Sequence, residues 1–199
     1  MRTVNQIVLA STNDHKLTEM SALLSKVPAL ELLPPQGLLR NADKIGSVEV
    51  HSTYLENAAA KARLVNQGCH YPTLADDSGL EVLALDSQPG VRSARDWNVD
   101  KVLAALKGKT NREARFVCTL ALVIEGVLIE ATGTLEGTLT DSPRGKNGFG
   151  YDPIFVPKGE TRTLAEMTET EKNKISHRSR AVDSLLEECR RAGIQFAKP

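Results

Sequence analysis

Residues 115–134 read RFVCTLALVIEGVLIEATGT. Two runs rich in apolar and β-branched residues, 115–125 and 127–134, are separated by little more than Glu125-Gly126. Such a pair of runs around a short glycine-containing turn is the usual pattern of a β-hairpin. The stretch therefore predicts two long antiparallel strands that are neighbours in a sheet.

Upstream of this hairpin, short apolar runs alternate with helical patterns. Residues 7–10 are a short apolar run, and apolar residues then recur at helical spacing over 17–27. A capping-box pattern at Thr53 and Glu56 predicts the start of an alanine-rich helix, which Gly68 would end. Alternating strands and helices allow parallel pairing, so together with the hairpin they predict an α/β fold around a mixed sheet.

The remaining elements follow from shorter patterns. A buried strand is expected over 73–75, and it should run into a turn at 76–79. A second capping-box pattern occurs at Thr168 and Glu171. The other predicted elements are a strand over 30–33, a loop or irregular strand up to His51, a helix over 98–107, a strand over 154–156 and helices from Leu164 onward.

Composition restricts the class of protein. The 199 residues are 41% hydrophobic and carry 25 basic and 25 acidic side chains, so one domain over 1–199 is expected and no positive field indicates a nucleic-acid partner. The longest apolar stretch, 116–124, is too short to span a membrane. Cys69, Cys118 and Cys189 lack the spacing of a zinc site or a disulfide framework, which favours reduced thiols and a cytoplasmic protein.

Three polar segments are candidates for a binding site. The first, Ser11 to Lys16, follows a strand and opens a helix. Small polar residues at a helix N-terminus, with a lysine in the first turn, suit a phosphate group. The alternative is an ordinary N-cap with a solvated lysine.

The second segment contains Asp76 and Asp77, with Glu49 and Glu56 upstream. Carboxylates beside a phosphate site are suitable ligands for Mg²⁺, which takes oxygen donors. Adjacent carboxylates also repel each other unless a cation offsets them. The alternative is a turn in which the aspartates cap backbone amides and Glu56 only completes its capping box.

The third segment combines residues 149–152 with Lys172, His177 and Arg178. Here an aromatic ring, Phe149 or Tyr151, is available to stack on a base, and the three basic side chains are hydrogen-bond donors. The alternative is that the aromatic residues belong to the core and the basic residues to a solvated helix face.

Two common nucleotide-binding and hydrolase motifs are absent from the sequence. Gly145-Lys146 is followed by Asn147 and not by serine or threonine, which argues against a P-loop. No Gly-x-Ser-x-Gly motif is present, so a serine hydrolase of that type is not expected.

Five short motifs occur in order between residue 6 and about residue 190. They are VLASTNDHK at 8–16, LENA at 55–58 with Lys61-Ala62, ADDSGL at 75–80, GFGYDP at 148–153, and Glu171-Lys172 followed by Ser176-His177-Arg178. In this order and spacing they resemble the inosine triphosphate pyrophosphatase family. Each motif is weak alone, but five in register over nearly the whole chain make the resemblance specific.

The resemblance implies an elongated mixed sheet flanked by helices, two lobes with a central substrate cleft, and a homodimer. It implies Mg²⁺ as cofactor and Asp77 as both catalytic base and metal ligand. The residues implied to bind the nucleotide are Ser11, Thr12, Asn13, Asp14, His15, Lys16, Lys61, Ser78, Phe149, Gly150, Tyr151, Asp152, Lys172, His177 and Arg178.

Two positions depart from the pattern of the family. Thr12 replaces a glycine that usually follows the first strand, which would narrow the phosphate turn. Val48 occupies the position of the usual metal-binding glutamate, so Glu49 is expected to replace that ligand.

The resemblance implies hydrolysis of ITP, dITP and XTP to the monophosphate and pyrophosphate. Two other functions stay open from the residues. One is a pyrophosphatase for altered pyrimidine nucleotides, and the other is a nucleotide-binding regulator without turnover.

Overall fold

The computed structural model describes residues 2–28 and 30–196, without the side chains of Arg2 and Thr3. Strands alternate with helices at first, and the long hairpin follows. The strands are β1 (Arg2–Val4), β2 (Gln6–Leu9), β3 (Glu31–Leu33), β4 (Thr73–Val82), β5 (Gln88–Pro89), β6 (Glu113–Ile124), β7 (Val127–Leu139), β8 (Phe155–Pro157) and β9 (Ile194–Phe196). The α-helices are α1 (Asp14–Leu24), α2 (Tyr54–Cys69), α3 (Val99–Ala105), α4 (Glu169–Ile175) and α5 (His177–Arg191).

The main sheet is mixed, as expected. Its strand order is β3-β2-β4-β6-β7-β8, with β5 paired to β4. Strand β2 is parallel to both β3 and β4, whereas β8 is antiparallel to β7. The turn between β6 and β7 has positive φ at both Glu125 (47°) and Gly126 (78°), which is the backbone of a tight hairpin turn. The predicted α/β fold and its central hairpin are confirmed.

The chain divides into two compact units. Unit 1 comprises residues 1–77, 119–132 and 181–199, and unit 2 comprises 78–118 and 133–180. Each has its own hydrophobic core, and burial of each large apolar side chain contributes about 1.5–3 kcal/mol. The core of unit 1 includes Val8, Ala58, Ala62, Val65, Ala75 and Ala121, and that of unit 2 includes Leu80, Val82, Leu135, Tyr151, Phe155 and Leu164.

No helix in the described part of the chain is long and apolar enough to cross a membrane. None of the three cysteines, all of which lie in described regions, forms a disulfide. The expectation of a single domain over 1–199 stays a prediction.

Two local expectations were wrong. Residues 76–79 do not form a turn, because β4 continues from Thr73 to Val82 and is hydrogen-bonded to β2, β5 and β6. Ladder hydrogen bonds therefore outweigh the turn preference of Asp-Asp-Ser-Gly. Helix α2 also continues past Gly68 to Cys69, because His70 adopts the left-handed conformation (φ 61°) that ends the helix.

The loop expected up to His51 contains a 3-10 helix over Ala42–Val48. The strand expected over 154–156 begins one residue later, at Phe155, after a short 3-10 turn. Both capping boxes expected from sequence begin helices, at Thr53 and Thr168. The C-terminal strand β9, parallel to β1, was not anticipated.

Gly137 in β7 provides a test of the packing in unit 2. A Cβ atom there would collide with the Val156 carbonyl oxygen and lie 2.7 Å from the Phe155 ring. We expect Gly137→Ala to lower the free energy of unfolding by about 1–3 kcal/mol, the usual cost of overpacking. Urea denaturation measures this, with Gly46→Ala as control because a Cβ at Gly46 meets nothing within 4 Å. Equal stability of the two variants would contradict the packing described.

Candidate active site

The first polar segment joins β2 to α1. The Asn13 side chain caps the helix, because its Oδ1 accepts a hydrogen bond from the Lys16 N–H (3.2 Å), and Ser11 Oγ accepts from the Asn13 N–H (3.2 Å). The expected N-cap is present, but Lys16 is not a solvated lysine. The same geometry places the positive end of an 11-residue helix at this turn. Thr12 has no positive φ, so the backbone tolerates a side chain there. Thr12, Asp14 and His15 are exposed.

Asp76 is fully buried in β4 and holds two lysines. Its Oδ2 lies 3.0 Å from Lys16 Nζ, and its main-chain oxygen accepts a hydrogen bond from Lys61 Nζ (2.5 Å). The Lys16 side chain is only 18% exposed. This one residue therefore fixes the positions of both basic side chains that the sequence assigned to the phosphates in unit 1.

Asp77, the next residue of β4, is 5% exposed. Its Oδ2 accepts a hydrogen bond from Asn57 Nδ2 (2.9 Å). Burial raises the pKa of Asp77 to about 6, although Lys61 and the hydrogen bond from Asn57 act in the opposite direction. A carboxyl group with this pKa is largely ionised at neutral pH and is still basic enough to accept a proton from water.

Lys61 lies on the buried face of α2 and is 3% exposed. Its ammonium group forms an ion pair with the carboxylate of Glu49. Burial acts to lower the pKa of Lys61, but the charges of Asp76, Glu49 and Asp77 outweigh burial and raise the pKa above its ordinary value. Lys61 therefore stays positively charged in the interior of unit 1.

The oxygen atoms of Asp77 and Glu49 are the candidate metal ligands. Both carboxylates raise the pKa of Lys61, so they act on the same small region. Val48, which precedes Glu49 at the end of a 3-10 helix, has no donor atom in its side chain. Among the described residues, no group of three or more His, Cys, Asp or Glu side chains is arranged to hold a metal. Two carboxylates are nevertheless a common protein contribution to Mg²⁺, which completes its shell with water and phosphate oxygens.

In unit 2, the turn over 148–152 is built around the carboxylate of Asp152. Its Oδ2 accepts hydrogen bonds from the Phe149 N–H (2.9 Å) and from Lys172 Nζ (2.7 Å). Gly148 has φ 71°, and a Cβ atom there would collide with the same Oδ2. Glycine is therefore required at 148, and Asp152 sets the position of Phe149.

Two cationic groups lie beside the ring of Phe149. Lys172 Nζ is 4.7 Å from the ring centroid and the Arg178 guanidinium carbon is 5.9 Å from it. Arg178 is 1% exposed, and its NH2 group donates to Ser78 Oγ at 3.3 Å. The interpretation of these basic residues as a solvated helix face is therefore wrong for both, since Lys172 is also buried.

Tyr151 and His177 have well-defined packing partners. The Tyr151 hydroxyl donates to the main-chain oxygen of Ser93 (2.7 Å), and its ring belongs to the core of unit 2. The His177 ring stacks on Phe116, with centroids 4.7 Å apart and planes 13° apart. These contacts hold both residues in place, and their contact with a nucleotide stays a prediction.

The sequence-predicted residues thus form two groups. In unit 1 the structure brings together Lys16, Lys61, Asp77 and Glu49, and in unit 2 it brings together Ser78, Phe149, Asp152, Lys172 and Arg178. Glu56 stays within its cap, where its Oε2 accepts from Thr53 Oγ1 (2.8 Å).

Sequence reasoning did not pair Asp76 with the two lysines, and it gave Asn57 no role in the site. A signal for Asn57 was present: it belongs to the stripe of α2 that also contains Ala58, Ala62 and Val65, all buried. A polar residue in an apolar helix stripe has to find a partner, and the partner here is Asp77.

Comparison with known proteins identifies the family. A model of the Ham1 family matches residues 7–188. This chain belongs to the Ham1 family. The Ham1 match confirms the resemblance predicted from the five motifs, and it spans every predicted site residue from Ser11 to Arg178.

Individual relatives are similar to this chain over nearly its full length. The dITP/XTP pyrophosphatase of Deinococcus deserti is 46% identical over 192 residues, which cover 90% of this chain and 87% of that protein. The dITP/XTP pyrophosphatase of Aquifex aeolicus is 38% identical, with 94% and 99% covered. The solved structure of a HAM1 protein from Coxiella burnetii superimposes with a TM-score of 0.77 at 37% identity, covering 96% of this chain and 100% of that one.

The raised pKa of Asp77 generates a prediction about stability. Because this pKa is higher in the folded chain than its ordinary value of 3.8, ionisation of Asp77 costs folding free energy. The cost is absent below pH 3.8 and complete above about pH 6. Asp77→Asn removes this cost. The unfolding free energy of the variant minus that of wild type should therefore be about 1.4 kcal/mol larger at pH 8 than at pH 5.

Urea denaturation in EDTA at the two pH values measures this difference. The attraction between the Asp77 carboxylate and Lys61 is already included in the pKa of about 6. Effects of the substitution that do not depend on pH are the same at both pH values, so the difference isolates the ionisation. The exposed Asp86→Asn provides the matched control. A gain of the same size at both pH values would contradict the burial effect.

Proposed function

We propose that this chain hydrolyses non-standard purine nucleoside triphosphates, such as ITP, dITP and XTP, to the monophosphate and pyrophosphate, and so removes them from the nucleotide pool. The names of its relatives in Deinococcus deserti and Aquifex aeolicus support this substrate class. The observation that carries the proposal is the buried carboxyl group of Asp77, with a pKa of about 6, in the same small region as a buried lysine.

In the proposed mechanism, the ionised carboxylate of Asp77 orients a water molecule and accepts its proton as the water attacks the α-phosphorus in line. Pyrophosphate is the leaving group. Lys16 and Lys61 offset the growing negative charge on the phosphate oxygens, and the N-terminus of α1 contributes its partial positive charge. Because Asp76 and Glu49 already hold the two lysines, little reorganisation is needed when substrate binds.

We infer that Mg²⁺ is required, and that Asp77 and Glu49 are its protein ligands. When bound, Mg²⁺ offsets the charge of the polyphosphate and helps to orient it for in-line attack. The fit rests on the oxygen-only donor set of two carboxylates. Glu49 would thus take the role of the usual metal-binding glutamate, whose position is occupied by Val48 in this chain.

We infer that the unit 2 residues recognise the base. Phe149 offers a ring for stacking, and its position is set by Asp152. Lys172, His177 and Arg178 are donors for the 6-keto oxygen of a purine such as hypoxanthine. Adenine has an amino group at this position and would leave the donors unpaired, which disfavours ATP.

We also propose a cytoplasmic homodimer. The absence of disulfides among Cys69, Cys118 and Cys189 is consistent with a reducing compartment. The balanced charge of the chain supports a small-molecule substrate over a nucleic-acid or membrane partner.

The product of ITP hydrolysis tests the proposed reaction directly. With Mg²⁺ present, we expect IMP and pyrophosphate to form in equal amounts and in one step. Asp77→Asn, the catalytic control, should lose roughly two to four orders of magnitude in turnover, as is usual when a positioned base is removed. Accumulation of IDP and orthophosphate would refute the proposal.

The same assay separates the alternative functions. Altered pyrimidine triphosphates, tested beside ITP, dITP and XTP, would give the higher kcat/KM if the chain were a pyrimidine-specific pyrophosphatase. Binding of nucleotides without release of either phosphate product would indicate a regulator.

Arg178 provides the test of base recognition. Arg178→Met keeps most of the volume of this buried side chain and removes its donors. We expect kcat/KM for ITP to fall about 10- to 100-fold, as for the loss of a hydrogen bond from a charged donor, and kcat/KM for ATP to fall much less. Arg180→Met changes an exposed arginine of the same helix and should leave both values unchanged.

An equal loss for ITP and ATP would contradict base reading by Arg178. It would place this residue at the phosphates or in the framework of the helix.

A further inference from the structure

The Asn57 side chain joins two parts of unit 1 that the proposed function assigns to the metal site. It is fully buried on α2. Its Nδ2 donates to Asp77 Oδ2 (2.9 Å), and the same amide bonds the main chain of His51 in both directions. There, Oδ1 accepts from the His51 N–H (2.9 Å) and Nδ2 donates to the His51 carbonyl (3.4 Å).

The hydrogen-bond partners of Asn57 lie at or near the two proposed metal ligands. Asp77 is one proposed ligand of Mg²⁺, and His51 lies two residues after the other, Glu49. His51 is itself exposed and lies outside the regular elements. Residues 49–51, which follow the 3-10 helix, are therefore attached to α2 by the amide of Asn57 and by the ion pair between Glu49 and Lys61.

The helix makes this attachment rigid. Asn57 and Lys61 are four residues apart, so they lie on the same face of α2, where Ala58 and Ala62 are fully buried. A buried side chain of this kind has few accessible rotamers, and an amide is an uncharged group that both donates and accepts in this geometry. The Oδ1 and Nδ2 atoms of Asn57 belong to one rigid amide group. Asn57 therefore forms hydrogen bonds with Asp77 and with the main chain of His51 at the same time.

We propose that Asn57 is a positioning residue of this site: its buried amide clamps Asp77 of β4 to the main chain of His51 and so sets the separation of the carboxylates of Asp77 and Glu49. The inference rests on the proposed metal-dependent pyrophosphatase function. It adds that the geometry of the metal site is set from α2, by a side chain that touches neither metal nor substrate.

Asn57→Leu tests the clamp, since leucine has nearly the same volume and no polar atoms. The matched control is Asn66→Leu on the same helix, where Asn66 Nδ2 donates to the Tyr71 carbonyl (2.7 Å) and not to Asp77 or to the main chain of His51. We expect Mn²⁺, used alone as the probe and followed by electron paramagnetic resonance, to bind Asn57→Leu at least five-fold more weakly than wild type. Asn66→Leu should bind Mn²⁺ like wild type.

Two further measurements separate positioning from general destabilisation. Hydrogen exchange of a peptide that contains His51 should be faster in Asn57→Leu than in either other protein, because its N–H loses its acceptor. With ITP, kcat should fall about 10- to 100-fold with little change in KM, and a higher Mg²⁺ concentration should be needed for half-maximal rate. Asn57→Ala serves in the same assays if the leucine variant does not fold.

The proposal is overturned if Asn57→Leu and Asn66→Leu lose stability alike while Mn²⁺ affinity and exchange at His51 stay at wild-type values. It is also overturned if wild type binds no Mn²⁺, since there would then be no pair of ligands to position. Neither the Mn²⁺ titration nor the hydrogen-exchange measurement uses a nucleotide. Failure of the clamp is therefore distinguishable from failure of the proposed reaction, which the pyrophosphate assay reports.

Discussion

The burial of two consecutive carboxylates, Asp76 and Asp77, within one strand is the constraint on which the rest of unit 1 depends. Successive side chains of a strand point to opposite faces of the sheet. The two charges are therefore not stacked against each other, and each needs its own partner. Asp76 pairs with Lys16 of α1, and Asp77 receives the amide of Asn57 on α2. Two helices have to pack at defined positions for this one strand segment to be buried.

The two aspartates differ in their partners. Asp76 has Lys16 Nζ within 3.0 Å of its carboxylate and Lys61 Nζ on its main-chain oxygen, and Asp77 accepts from the amide of Asn57. At Asp77 burial outweighs the charge of Lys61 and the hydrogen bond from Asn57, and it raises the pKa to about 6. The same strand thus supplies a residue that positions two lysines and the proposed proton acceptor, and their different roles follow from environment and not from residue type. Ionisation of the buried Asp77 carboxyl group lowers the stability of the folded chain, and the same burial keeps its carboxylate basic.

Much of the fold was predictable because its signals are local. The β6–β7 hairpin and the helices that begin at Thr53 and Thr168 follow from periodicity, turn residues and capping boxes. The continuation of β4 through residues 76–79 was not predictable in this way, since neighbouring strands impose it against the local turn preference. The pairing of β1 with β9 joins the two ends of the chain, and no short motif encodes it.

The same difference between local signals and long-range contacts applies to the candidate site. The motifs and the family resemblance identified the sequence positions of residues with reactive or charged side chains, such as Lys61 and Arg178. They did not give the contacts of these residues in space. Asn57 lies in one of the motifs but was given no role, because its contacts with Asp77, 20 positions along the chain, and with the main chain of His51 appear only in the structure. Likewise, Tyr151 was interpreted from its ring, but its hydroxyl bond to Ser93 depends on packing in unit 2. Side chains that act through another residue are the ones that a single sequence conceals.

The central claim is that water, activated by Asp77, attacks the α-phosphorus of the nucleotide. Hydrolysis of ITP in water enriched in oxygen-18, followed by mass spectrometry of both products, tests it most directly. The account predicts one labelled oxygen in IMP and none in pyrophosphate. Label in pyrophosphate, with unlabelled IMP, would mean attack on the β-phosphorus and would contradict the account.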